Sequence, residues 1–179
     1  LPIYIFHTKD PKAWEYINRF TTFNDYRHRV LTMHKGKPYQ MPINLKTIND
    51  FYHRSMNSDE AEAWLQAEAA KENVVDLRSF EDRALATIGR PLYNAFFEGY
   101  TAKQWATHPR LLPASTLTRL PVRFDHRDEY FDDPWQGIPS EGYGRMFQRM
   151  LSHPNIEVKL DTDFFARSEE RRVGKECLR

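Results

Sequence analysis

Apolar positions along the chain fall into short runs whose spacing changes from element to element. Tyr4-Ile5-Phe6 reads as the end of a strand running into His7-Thr8. Asp10 then caps a helix with Pro11 at its first position, where a missing N–H costs nothing. Trp14, Ile17 and Phe20 give that helix one apolar face. Arg29 to Met41 reads as a hairpin around Lys35-Gly36, although its alternation is imperfect. Asn44 caps a short helix with Leu45, Ile48, Phe51 and Tyr52 facing inward. Asn57-Ser58-Asp59-Glu60 has the form of a capping box and opens an alanine-rich helix to about Lys71. Ser79 starts another, with Phe80, Ala84, Leu85 and Ile88 on one side and Gly89 at its end. Pro91 opens a further helix, in which Leu92, Tyr93, Phe96, Phe97 and Tyr100 recur at helical spacing.

From Thr107 to Pro121 the pattern fades among prolines at 109, 113 and 121, which predicts a loop. Residues 122–139 alternate polar and aromatic side chains and predict paired strands. Tyr143, Met146, Phe147, Met150 and Leu151 mark an amphipathic helix, and Ile156, Val158 and Leu160 alternate as a strand does. From Ser168 onward no apolar period remains, as in a disordered or foreign tail. The class is therefore α+β: a helical middle flanked by strands of an antiparallel sheet. The expected division is sheet and hairpin elements over 1–42, a helical domain over 43–118, strands with an amphipathic helix over 119–167, and the tail over 168–179.

Composition narrows the function more than the fold. With 179 residues, 40% hydrophobic and 28% charged, the chain can bury a core and fits a soluble globular protein. A net charge of +1 provides no global field for nucleic acid or an acidic membrane. There is no run of about 18 apolar residues to span a bilayer, and Leu1-Pro2 opens no signal-peptide pattern. The single cysteine, Cys177, makes no disulfide framework and suits a reducing cytoplasm. The seven histidines, among them His7, His28 and His34, have no metal-ligand spacing. Gly142-Tyr143-Gly144 lacks the third glycine of a dinucleotide turn, and neither a P-loop nor a Gly-x-Ser-x-Gly elbow occurs.

The chemistry concentrates between Arg90 and Tyr130, in a chain that is 14% aromatic. Phe96 and Tyr100 stand one turn apart, and Trp105 follows just beyond the expected helix end. Aromatic faces near a helix end can sandwich a flat base, worth roughly 1–3 kcal/mol per base. Arg119 and Arg123 lie on or beside the proline-bounded loop. A guanidinium grips phosphate oxygens with charge-assisted bonds worth about 1.5–3 kcal/mol each. The same residues also suit a plain core helix and two surface arginines.

Gly-Arg-Pro-Leu-Tyr at 89–93, Gly-Tyr-Thr-Ala-Lys-Gln-Trp at 99–105 and Arg-Leu-Pro-Val-Arg at 119–123 resemble bacterial UDP-galactopyranose mutases. So do Ile5-Phe6-His7-Thr8, Tyr26-Arg27-His28-Arg29-Val30 and Gly137-Ile138-Pro139 followed by Gly142-Tyr143. These words stand in the family's order over about residues 5–166. The resemblance implies an internal piece of an FAD-linked, Rossmann-like isomerase that serves galactofuranose and cell-wall polysaccharide synthesis. Residues 1–42 would then be a remnant of its FAD domain.

In that family reduced flavin N5 attacks the anomeric carbon of UDP-galactose as UDP leaves. The sugar ring opens and recloses as the furanose, and UDP returns without net redox change. Carried over residue by residue, Tyr100 would stack on uracil in a pocket shaped by Phe96, Phe97, Thr101 and Trp105. Arg119 would swing in on a mobile loop to hold the diphosphate, and Tyr130 would donate a hydrogen bond to a phosphate. His7 would lie against the flavin near the galactose, sharing the catalytic role with Arg119, and His28 would reach the flavin–sugar pocket. A homodimer of the full-length protein is compatible with the resemblance.

Where the family has a glycine-rich dinucleotide segment ahead of this region, and a further diphosphate arginine after it, the sequence has neither. Tyr4 also stands where the family pattern has histidine. The chain alone is therefore expected to bind FAD weakly or not at all, and to be inactive. The alternatives are a non-catalytic UDP-binding fragment and another flavin enzyme of the amine-oxidase-like group.

Overall fold

In the computed structural model, which describes residues 4–117 and 122–163, the chain order is β1 (Phe6–Thr8), α1 (Pro11–Ile17), β2 (Val30–His34), β3 (Lys37–Met41), α2 (Leu45–Tyr52), α3 (Ser58–Ala70), α4 (Phe80–Phe96), α5 (Glu98–Trp105), β4 (Trp135–Gly137) and α6 (Gly142–Leu151). Short 3-10 turns cover Pro109–Leu111 and Ala114–Thr116. The described residues thus form a mixed α+β structure of six helices and two small antiparallel sheets, β1-β4 and β2-β3. The chain divides into two units, one of residues 1–26 with 134–179 and one of residues 27–133.

Local chemistry sets most helix starts. The Asp10 carboxylate accepts from the Lys12 N–H at 2.8 Å, ahead of Pro11. Asn44 Oδ1 accepts from the Thr47 N–H at 2.9 Å. Asn57 with Glu60, and Ser79 with Asp82, form reciprocal capping boxes. In the β2–β3 hairpin Lys35 (φ 50°) and Gly36 (φ 76°) both take positive φ, the two-residue turn whose twist matches antiparallel strands.

Within 27–133 the core gathers Tyr39, Ile43, Ile48, Leu65, Leu85, Ile88, Leu92, Tyr93 and Phe96, with α3 packed along α4. Each such side chain withdrawn from water contributes on the order of 1.5–3 kcal/mol. Gly89 (φ 69°, ψ 168°) breaks α4 as the sequence predicts, and its Cα presses against the Glu68 backbone. In the other unit, the Phe6, Trp14 and Phe23 rings pack at centroid distances of 4.8–6.1 Å. Gly137 lies against the Asn24 carbonyl, and Arg149 Nη1 donates to the Phe20 carbonyl at 3.1 Å.

Three expectations are corrected. Tyr100 does not share a helix with Phe96, because Phe97 (φ −115°, ψ −43°) interrupts the run and α5 begins afresh at Glu98. Residues 122–139 do not pair as strands apart from Trp135–Gly137; the Glu129 region makes only an isolated bridge to Arg29. Ile156, Val158 and Leu160 form no strand, and all three are exposed among the described residues. The tail from Ser168 lies outside the described residues.

Candidate functional site

The short helix α5 carries the candidate base platform. Tyr100 is 68% exposed and Trp105 54%, whereas Thr101 between them is buried. Five residues on an α-helix turn through about 500°, so the two rings point about 140° apart around the axis. They therefore do not face each other across a ready-made slot. Tyr100 offers an open ring, Trp105 offers another at the helix end, and Thr101 seats the helix between them, its N–H donating to the Phe97 carbonyl at 2.8 Å.

The remaining members of the expected pocket lie deeper. Phe96 is buried in an aromatic cluster with Tyr39 (5.1 Å), Phe51 (5.5 Å) and His34 (5.8 Å). Phe97 is half-buried against the same core. α5 ends at Ala106, which takes the left-handed conformation (φ 48°, ψ 30°).

A cluster of polar and charged side chains that the sequence did not suggest gathers beside this helix. His108 Nε2 lies 3.6 Å from Glu98 and its Nδ1 3.8 Å from Glu81, while Nδ1 also accepts from the Arg110 N–H at 3.3 Å. Arg90 pairs with Glu72 at 2.6 Å and reaches Glu81 at 3.8 Å. These five side chains come from separated stretches of sequence, so no motif spacing announces them. The only local hint is that Glu81 and Glu98 sit in first turns, where acids are favoured for helix reasons alone.

Beyond Leu117 the chain passes through residues 118–121, and Arg119 lies outside the described residues. Arg123 does not serve as a second phosphate grip. It is 6% exposed, its Nη1 donates to the Glu129 carbonyl, and its Nη2 pairs with Asp132 at 2.9 Å. Nearby, Asp125 is held below the ordinary carboxylate range, first by the Arg127 N–H, with the Arg127 guanidinium adding to the effect.

Tyr130 is 44% exposed and its N–H donates to the His28 carbonyl at 2.6 Å. The His28, Tyr130 and Phe131 rings contact one another at 5.0–5.9 Å. Arg29 pairs with Asp128 at 2.8 Å alongside. The structure therefore brings His28 and Tyr130 together. His7 lies in the other unit, half-buried on β1 and opposite Gln136 of β4.

The fit to a flavin dinucleotide is divided. The His7 imidazole, half-buried on β1, is of the kind a flavin ring edge takes, whereas Gln136 opposite it is buried. A pyrophosphate needs open N–H groups at a helix start. At α1 that position is taken by the Asp10 carboxylate. The helix that follows His7 is thus capped by its own carboxylate rather than open to a pyrophosphate.

Residues 95–177 match the family model described as UDP-galactopyranose mutase. The chain is 42% identical over 167 residues to a probable UDP-galactopyranose mutase of Klebsiella pneumoniae, covering 93% of this chain and 43% of the relative. It is 44% identical over 157 residues to a dTDP-fucopyranose mutase of Escherichia coli, covering 88% of this chain and 41% of that relative. A UDP-galactopyranose mutase of Mycoplasma pneumoniae is 24% identical over 162 residues, 88% of this chain and 41% of its own length. The chain thus spans about two-fifths of the curated relatives it matches. The names of these relatives share a nucleoside diphosphate and a mutase, and the exposed α5 rings lie within the residues that match the family model. Over 88–93% of its length the chain is thus similar to these nucleotide-sugar mutases, and residues 95–177 match the UDP-galactopyranose mutase model.

Proposed function

We propose that this chain is the substrate-binding segment of a mutase that interconverts UDP-galactopyranose and UDP-galactofuranose, and that α5 is its base platform. The observation that carries the reading is the exposure of Tyr100 and Trp105 on a helix seated by buried Thr101, within the family-matched segment. A core helix would have buried those rings. Tyr100 stacks on the uracil, Phe97 bounds the platform, Phe96 supports it from the core, and Trp105 offers a second ring at the end of α5. Arg119 neutralises the diphosphate, and Tyr130 donates a hydrogen bond to a phosphate oxygen.

A reduced flavin, when bound, supplies the nucleophile that the protein's own side chains lack. His7, and separately His28, are proposed as contacts to that cofactor on the strength of their chemistry and their place in the family's words. The chain's own work is then to hold the nucleotide fixed and to stabilise charge as the bond to the sugar breaks. The FAD-linked, Rossmann-like architecture of the whole protein and a cytoplasmic location belong to the same proposal.

Titrating UDP into the chain and following tryptophan fluorescence tests it. We expect quenching, with Tyr100→Ala weakening binding by about 1–3 kcal/mol and Arg119→Ala by a similar amount. A folded chain whose fluorescence ignores UDP overturns the platform. The 44% identity to a dTDP-fucopyranose mutase favours a second reading, in which the base is thymine. Tighter binding of dTDP than of UDP in the same titration decides for it.

A further inference from the structure

We infer that Arg123 is a positioning residue, which fixes Tyr130 for contact with the nucleotide's diphosphate; the inference rests on the reading above. In sequence Arg119 and Arg123 look equivalent, four residues apart beside one loop. Arg123 offers a ligand almost no surface, being 6% exposed, and its backbone N–H and both Nη atoms are committed inward. Its N–H donates to the Ile43 carbonyl at 2.9 Å, at the entry to α2. Its guanidinium binds the Glu129 carbonyl with one nitrogen and Asp132 Oδ1 at 2.9 Å with another.

Glu129 and Asp132 directly flank Tyr130-Phe131. The stretch they bound has no helix or strand of its own. Its backbone is tied by the isolated bridge of Glu129 to Arg29, which includes the Tyr130 N–H bond to the His28 carbonyl. The guanidinium therefore does for this segment what a sheet ladder does elsewhere, and it does so on both sides of the exposed ring. A lysine cannot replace it, because a single ammonium does not span a carbonyl and a carboxylate in the fixed geometry of a planar fork. Asp132 is also within 3.4 Å of Arg127, so it keeps a cation when Arg123 is changed.

The experiment uses the full 179-residue chain labelled with fluorotyrosine, the Tyr130 signal being assigned by its loss in Tyr130→Phe. Arg123→Lys should move the Tyr130 resonance and leave that of Tyr100 in place. In UDP titrations Arg123→Lys and Tyr130→Phe should each weaken binding about tenfold, and the double variant no further than the more damaging single. Arg123→Lys combined with Tyr100→Ala should instead multiply. If Arg123→Lys fails to fold, Asp132→Asn carries the same comparisons.

A Tyr130 signal that stays put, or effects of Arg123→Lys and Tyr130→Phe that multiply, overturns the inference. A wild-type chain that ignores UDP while its Tyr130 signal still answers Arg123→Lys sinks the nucleotide site, and with it this role for the clamp. The two failures are thereby told apart.

Discussion

A methyl group at position 89 has nowhere to go. Gly89 sits at φ 69° and ψ 168°, a conformation essentially reserved for glycine, and a Cβ built there lies 3.0 Å from both the carbonyl carbon and the Cβ of Glu68. Gly89→Ala combines backbone strain with a forced shift of α3, and should cost roughly 2–4 kcal/mol in urea unfolding. Gly144, in α6, meets nothing within 4 Å, so Gly144→Ala should raise stability by about 0.5–1 kcal/mol. Equal effects at the two positions would refute the packing argument. Other single residues were harder to read from sequence. Tyr100 and Phe96 share an apolar register, yet one is 68% exposed and the other 6%. Arg123 reads as a surface charge because its partner Asp132, nine residues on, is marked by no motif.

At the scale of elements, what was legible was what the chain decides locally. The Asp10, Asn44, Asn57 and Ser79 caps, the Lys35-Gly36 turn and the Gly89 break each follow from a few neighbouring residues, and each stands where the sequence put it. What failed depended on distant partners. Alternation at 122–139 and 156–160 promises strands only if an edge is there to pair with, and a three-residue pairing with β1 is what the first segment finds. The break at Phe97 carries no glycine or proline to announce it. The end of α5 supplies a test of local strain. Ala106 holds a left-handed cap at φ 48°, a position that favours glycine. Ala106→Gly should stabilise the chain by up to about 1 kcal/mol, the relief of the Cβ clash outweighing the entropy lost by glycine on folding. Thermal unfolding of the two forms measures this, and a lower midpoint for the glycine form would count against the assigned cap.

Across the whole molecule, the buried phenols set an alkaline limit. Burial pushes Tyr52 and Tyr93 well above the ordinary phenol range, with Glu68 adding to the first and Glu81 and Glu98 to the second. The folded state therefore holds these protons more tightly than the unfolded chain, whose phenols titrate near pH 10. The stability this represents is complete below about pH 10 and is lost as pH rises beyond it, because only the unfolded chain gives up the protons. Urea midpoints should be flat from neutral pH to about pH 9 and fall steeply above 10. Tyr93→Phe separates this effect from general alkaline damage. The Tyr93 hydroxyl is buried and, among the described residues, has no hydrogen-bond partner, so its removal leaves no stranded mate behind. The variant should be as stable as the wild type at neutral pH, or more so by up to about 1–3 kcal/mol, and should lose less stability above pH 10. A clear loss at neutral pH would mean that the hydroxyl is bonded after all, and would move Tyr93 from the apolar core to the charged cluster of Arg90, Glu81 and Glu98 beside it.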